Sequence, residues 1–207
     1  MNMNLDKLAC EVLDNLNTHA TTIVTGISLS SPRAVGDAVQ EYLAKEGIPM
    51  ILNGYGIKVR DDFSRRAMED IAFHDHDGNY YAIDVKTHNT DTQFNMPNLI
   101  SVKRLAKFYK TNTNHFCILI VSYRVANNRL EFTACHFKPI EVFDWSCLTL
   151  GALGWGQIQI ANANNLMFNE SVSRRDWMDM MCERLNEFYD SELKKINERK
   201  EWFEKYC

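Results

Sequence analysis

The chain has 207 residues, 45% of them hydrophobic, and a formal net charge of −4. Such a length suits one domain spanning residues 1–207 with a full core, and the acidic balance excludes a chain that is basic throughout, so any nucleic-acid footprint has to be local. No apolar run approaches the ~18 residues of a membrane span. The opening Met1-Asn2-Met3-Asn4-Leu5-Asp6 lacks a secretory leader pattern, and the six cysteines show neither a C-x-x-C pair nor a Cys/His zinc spacing. A cytoplasmic protein with reduced thiols is the expectation.

Leu5, Leu8, Val12, Leu13 and Leu16 recur at helical spacing and predict a helix over 4–17. The Thr/Ser-rich residues 18–32 predict a loop ending at Ser30-Ser31-Pro32. A second helix is predicted over 32–46, with Val35, Val39, Tyr42 and Leu43 inward and Gly47 as its stop. Asp37 and Glu41 fall one turn apart on it. The segment holding Lys58, Arg60, Asp61, Asp62, Arg65 and Arg66 is polar, and it is either a solvated loop or a phosphate contact.

Next come two apolar runs around His74-Asp75-His76-Asp77-Gly78-Asn79. Asp-Gly between β-rich segments is a hairpin signal. A short loop here sets Asp70 opposite Asp84, and Asp84 shares a strand face with Lys86 because side chains alternate with period two. In Ile83-Asp84-Val85-Lys86-Thr87 the charges sit between β-branched residues of a strand that reads as buried, and buried charge is costly unless paired or metal-bound. Two carboxylates suit a hard divalent cation such as Mg²⁺, and an adjacent lysine can hold a phosphate oxygen or the attacking water. The histidines and aspartates of the turn itself read as turn residues rather than a second metal site.

After Lys86 runs a long amide-rich loop bearing Gln93, Asn95 and Asn98. Residues 99–110 then predict a helix, on which Lys103, Lys107 and Lys110 form either a solvated face or a phosphate-tracking stripe. Phe116–Val121 predicts a buried central strand, and residues 122–137 a hairpin turning at Asn127-Asn128. Gln157-Ile158-Gln159-Ile160 alternates like a strand and leads into a second amide-rich loop with Asn162, Asn164 and Asn165. Ser173-Arg174-Arg175-Asp176 resembles a capping box and opens a long helix whose stripe runs through Trp177, Met181, Leu185, Phe188, Ile196, Phe203 and Tyr206, for core or dimer packing.

Three ordered patches carry a family resemblance. They are Glu69-Asp70-Ile71 with Ala82–Thr87 and then Pro97-Asn98-Leu99-Ile100-Ser101 through Leu105-Ala106; Ala34-Val35-Gly36-Asp37; and Gln157–Ile160 with Arg175-Asp176-Trp177. Together they resemble the PD-(D/E)xK nucleases, in particular type II restriction endonucleases of the HincII and EcoRV kind. Glu69 stands where that family often has proline, and the chain is shorter than such relatives.

The resemblance implies an α/β fold with a mixed central β-sheet flanked by helices and a long C-terminal helix. It implies Mg²⁺ held by Asp70, Asp84 and the carbonyl of Val85, with Lys86 holding the attacking water and Asp37 as a supporting acid. It further implies cleavage of double-stranded DNA at a palindromic site, with a blunt central cut leaving 5′-phosphate ends, by a homodimer partnered in its system by a DNA methyltransferase. The alternatives are a repair or recombination nuclease, such as a resolvase or nickase, and a non-catalytic DNA-binding dimer. Gln93, Asn95, Asn98, Gln157, Gln159, Asn162, Asn164 and Asn165 are the candidate DNA readers, with Lys103 and Lys107 on the backbone. Amides match adenine in the major groove and arginine is missing from both loops, so the expected site is rich in A·T pairs.

Overall fold

The computed structural model describes residues 3–26, 29–60 and 67–207. Asp61, Asp62, Arg65 and Arg66 lie outside the described residues. A five-stranded mixed sheet runs in the order β1-β2-β3-β5-β6, built from β1 (Val59–Arg60), β2 (Ile71–His74), β3 (Tyr80–Asn89), β5 (Asn114–Ala126) and β6 (Arg129–Pro139). β3 pairs antiparallel with β2 and parallel with β5. The parallel step requires a crossover, which consists of β4 (Asn98–Ser101) and α4 (Val102–Phe108). Asn127 and Asn128, both with positive φ, close the β5–β6 hairpin where the sequence placed it. A second, antiparallel sheet has the order β4-β8-β7, with β7 at Leu148–Gly151 and β8 at Gln157–Ile160.

Strand alternation divides the core in two. Cys117, Leu119 and Val121 of β5, with Ile83 and Val85 of β3, face the layer formed by α1 (Leu5–Ile23), α2 (Pro32–Tyr42) and α3 (Ile48–Asn53). Phe116, Ile118 and Ile120, with Ala82, face α4, the small sheet and the start of α5 (Arg174–Tyr206). Asp84 and Lys86 have the parity of Ala82, so their strand face is the one turned toward the small sheet. The mixed sheet, flanking helices and 33-residue C-terminal helix are the architecture expected from the sequence.

Several boundaries differ from expectation. α1 continues to Ile23 through the Thr-rich stretch, because a threonine hydroxyl can bond back into its own helix, as Thr18 does to the Asp14 carbonyl at 2.8 Å. Gly47 does not end α2. A π turn over Leu43–Gly47 carries the chain into α3, and a Cβ on Gly47 would lie 3.2 Å from Asn15 Oδ1, so the glycine is there for close helix packing. Residues 98–101 form a strand paired with β8 rather than the first turn of a helix, and Ser101 caps α4 by accepting from the Arg104 amide. The capping box at Ser173 forms, its hydroxyl accepting from the Asp176 amide. The stripe of α5 is covered only at its start: Trp177 and Met181 are buried, whereas Ile196, Phe203 and Tyr206 are exposed.

Candidate active site

The β2–β3 hairpin positions the carboxylates. Asp75 holds its turn by accepting from the Asp77 and Asn79 amides and the Asn79 side chain, and Gly78 supplies the positive φ, so this Asp is spent on loop geometry. The resulting register pairs Ile71 with Ile83, and the Asp70 amide donates to the Ile83 carbonyl at 2.8 Å. One residue outward, Asp70 falls opposite Asp84. Asp70 is clamped: the Val85 amide donates to its Oδ2 at 2.7 Å, and Gln40 Nε2 donates to its Oδ1 at 2.6 Å. Val85 therefore presents its polar backbone at the Asp70 edge of the strand, and its carbonyl belongs to the same edge.

Lys86 Nζ lies 2.5 Å from Asp84 Oδ1. The other oxygen, Asp84 Oδ2, is buried and without a hydrogen-bond partner, a position that few buried polar atoms occupy. Burial pushes the Asp84 carboxyl up to about 7, against the pull of Lys86 and with some help from the Asp70 charge. Burial also raises Asp70, opposed by the Val85 amide and Lys86 and assisted by Glu69. Both carboxylates line a cavity of about 290 Å³ together with Ser101, Arg104 and Gln157.

This donor set fits a hard divalent cation. Two carboxylates converge on one cavity, one oxygen there has no protein partner, and an oxygen-liganded cation that keeps several waters needs few protein ligands. No cluster of three or more His, Cys, Asp or Glu occurs among the described residues, so such an ion would depend on Asp70, Asp84, backbone and solvent.

Other expected site residues are placed differently. Asp37 is exposed and sits 3.9 Å from Arg33; the structure does not bring it to the carboxylates. Gln40, one turn on, makes that approach instead. Val35 and Val39 are buried, so the adjacent line Gly36–Gln40 runs along β3. A Cβ on Gly36 would be 2.8 Å from Thr87 Oγ1, so glycine lets α2 come close enough for Gln40 to reach Asp70. The repeating valines could have flagged that line; nothing in the sequence marked the glutamine as polar machinery.

Several of the amide side chains expected to read bases are engaged in hydrogen bonds within the protein, though none of them is buried. Asn98 Oδ1 accepts from Gln159 Nε2 at 2.5 Å, and the Gln159 amide lies over Gly151. Buried His88 joins the two loops: its Nε2 faces Asn164 Oδ1 at 2.8 Å and its Nδ1 faces Asn95 Nδ2 at 3.2 Å. Asn164 Nδ2 donates onward to the Thr92 and Gln93 carbonyls, and Asn162 Nδ2 reaches the Gln93 carbonyl. A side chain whose donors and acceptors are already used cannot form a bidentate pair with a base without breaking them. Gln93, Asn98, Asn164 and Asn165 are exposed, as are Lys103 and Lys107, while Gln157 faces the cavity.

No protein-family model matches the chain, and no curated protein does. Solved structures similar to it include Hjc, a Holliday junction resolvase from Archaeoglobus fulgidus, at a TM-score of 0.33 and 14% identity over 56% of this chain and 86% of that one. Another is NlaIV restriction endonuclease, at a TM-score of 0.46 and 12% identity over 84% of this chain and 73% of that one. With likeness this distant, what the chain does has to be read from its own residues. Among the described residues, no helix is long and apolar enough to cross a membrane.

Proposed function

We propose that this chain is a Mg²⁺-dependent endonuclease that hydrolyses DNA phosphodiester bonds, and that it acts as a type II restriction enzyme on double-stranded DNA. The observation that carries the reading is Asp84: a buried carboxylate with one oxygen on Lys86 and the other unpartnered, in the cavity it shares with Asp70. Burying such a group without a ligand is costly. Asp70, Asp84 and the Val85 carbonyl would hold Mg²⁺. When bound, the ion supplies Lewis-acid stabilisation of the charge that builds on the phosphoryl oxygens. Gln40 and the Val85 amide fix the orientation of Asp70. Lys86 holds the attacking water at the scissile phosphate, and Arg104 borders the cavity where that phosphate would lie.

Cutting both strands of a palindrome needs two copies of this site related by a two-fold axis, so the active form is a homodimer. A blunt central cut with 5′-phosphate ends and a companion DNA methyltransferase complete the reading. The amides already hydrogen-bonded within the protein favour keeping a second one, a nuclease that recognises DNA structure rather than sequence. Incubating plasmid and a four-way junction with the protein and Mg²⁺ separates the two: discrete plasmid bands support the first, junction cleavage the second. Asp84→Ala and Lys86→Ala should fold and bind DNA in Ca²⁺ yet fail to cut. Full activity of Asp84→Ala in Mg²⁺ would refute the assignment, and sedimentation of a monomer both free and on DNA would refute the dimer.

A further inference from the structure

The connection between β7 and β8 carries Leu153 and Trp155 at 62% and 63% exposure, unusually open for side chains of their size. Nothing about this turn is loose. The Gly156 amide donates to the Leu153 carbonyl at 3.1 Å, the Val102 amide to the Gly156 carbonyl at 3.1 Å, and the Tyr189 hydroxyl to the Trp155 carbonyl at 2.6 Å. Gly154 and Gly156 supply the positive φ values, and a Cβ on Gly156 would press on Leu185 at 3.1 Å. Two apolar side chains are thus held outward on a fixed turn.

Their surroundings are chosen by charge. Lys103 Nζ lies 4.1 Å from the centroid of the Trp155 ring, a cation–π contact from α4. No Asp or Glu occurs between Asp91 and Glu131, the stretch that supplies α4, and no charged residue of either sign occurs between Asp144 and Glu170, the stretch that supplies the hairpin. In a chain of net charge −4, a turn and an α4 that contribute no carboxylate, with Lys103 on the Trp155 ring, suit a polyanion; acids reach this region from α5, which meets the turn through Leu185 and Tyr189. The turn and α4 are also continuous with the cavity of the two carboxylates: Arg104 follows Lys103, and Gln157 stands two residues from Trp155.

We infer that the β7–β8 turn is a DNA-contacting element whose Trp155 and Leu153 enter the major groove and pack on the base edges beside the cleaved phosphate, with Lys103 on the backbone. A two-stranded ribbon fits the major groove, where apolar side chains meet thymine methyl groups. The inference rests on the nuclease reading and adds the surface by which substrate bases are touched. It also supplies a contact that the amides engaged within the protein do not.

Tryptophan fluorescence tests it directly. Of the four tryptophans, Trp145 and Trp177 are buried and Trp202 is exposed like Trp155, so a Trp202→Phe protein reports on Trp155 at its surface. Mixed-sequence plasmid DNA is added in Ca²⁺, with a gel shift read in parallel. The expected result is a blue shift and loss of iodide quenching on DNA binding, absent when Trp155→Phe is added, and a roughly ten-fold weaker complex for Trp155→Ala. A gel shift without a change in Trp155 emission overturns the inference and leaves the nuclease reading standing. Failure to bind DNA at all overturns both. Protection of Trp155 by raised protein concentration without DNA overturns it too, and gives the surface to a protein contact.

Discussion

Replacing Asp84 with Asn should stabilise the metal-free protein above neutral pH while abolishing divalent-ion binding. Asp84 is 6% exposed, and burial moves its carboxyl from an ordinary 3.8 up to about 7. A raised carboxyl is held more tightly as the acid in the folded state. Its contribution to stability is therefore complete below the unfolded value and is lost as pH rises to about 7. At ~1.4 kcal/mol per pH unit, that interval bounds the cost of ionisation at about 4 kcal/mol. Asparagine keeps the shape and carries no charge, but Lys86 then loses its partner; since Lys86 is partly exposed and can be solvated, about half the bound, ~2 kcal/mol, is the expected gain. For a chain of this length that raises Tm by about 4–8 °C. Thermal unfolding followed by circular dichroism in a chelator, at about pH 5 and about pH 8, should show a clearly larger gain at the higher pH, because at about pH 5 only the first part of the interval above 3.8 has been crossed. Added Ca²⁺ should raise the Tm of wild type and not of Asp84→Asn. If Asp84→Asn loses as much stability near pH 8 as near pH 5, the Asp84–Lys86 pair outweighs the burial cost and the reasoning fails.

Gly36→Ala should cost about 1–3 kcal/mol by forcing α2 off Thr87, and Thr87→Ala in the same chain should recover most of it; additive losses in chemical denaturation would place the strain elsewhere. Gln40→Ala removes a charge-assisted hydrogen bond to Asp70 worth roughly 1.5–3 kcal/mol, so cleavage should slow with DNA affinity in Ca²⁺ unchanged, and a variant that cuts at the wild-type rate would remove Gln40 from the site. Asn164→Ala should destabilise both amide-rich loops and weaken binding to specific and random DNA alike, because its amide braces His88 and two carbonyls; selective loss on specific DNA would restore it as a base reader.

Period-two alternation, the Asp-Gly turn and the buried pattern of residues 83–87 were enough to put Asp70, Asp84 and Lys86 on one patch, because hairpin register and strand parity are local rules. The long helix after Ser173 and the strand at Gln157–Ile160 were legible for the same reason. Local rules carry no information about which helix lies over a strand. That Gln40 rather than Asp37 meets Asp70 depends on how closely α2 packs on β3, a distance set by Gly36 against Thr87 across a large separation in sequence. An asparagine with its amide free and one bonded to a distant histidine also look alike in sequence. Only the approach of the loops around His88 decided that Asn95 and Asn164 are bonded to it, since each amide takes the partner that folding brings within reach.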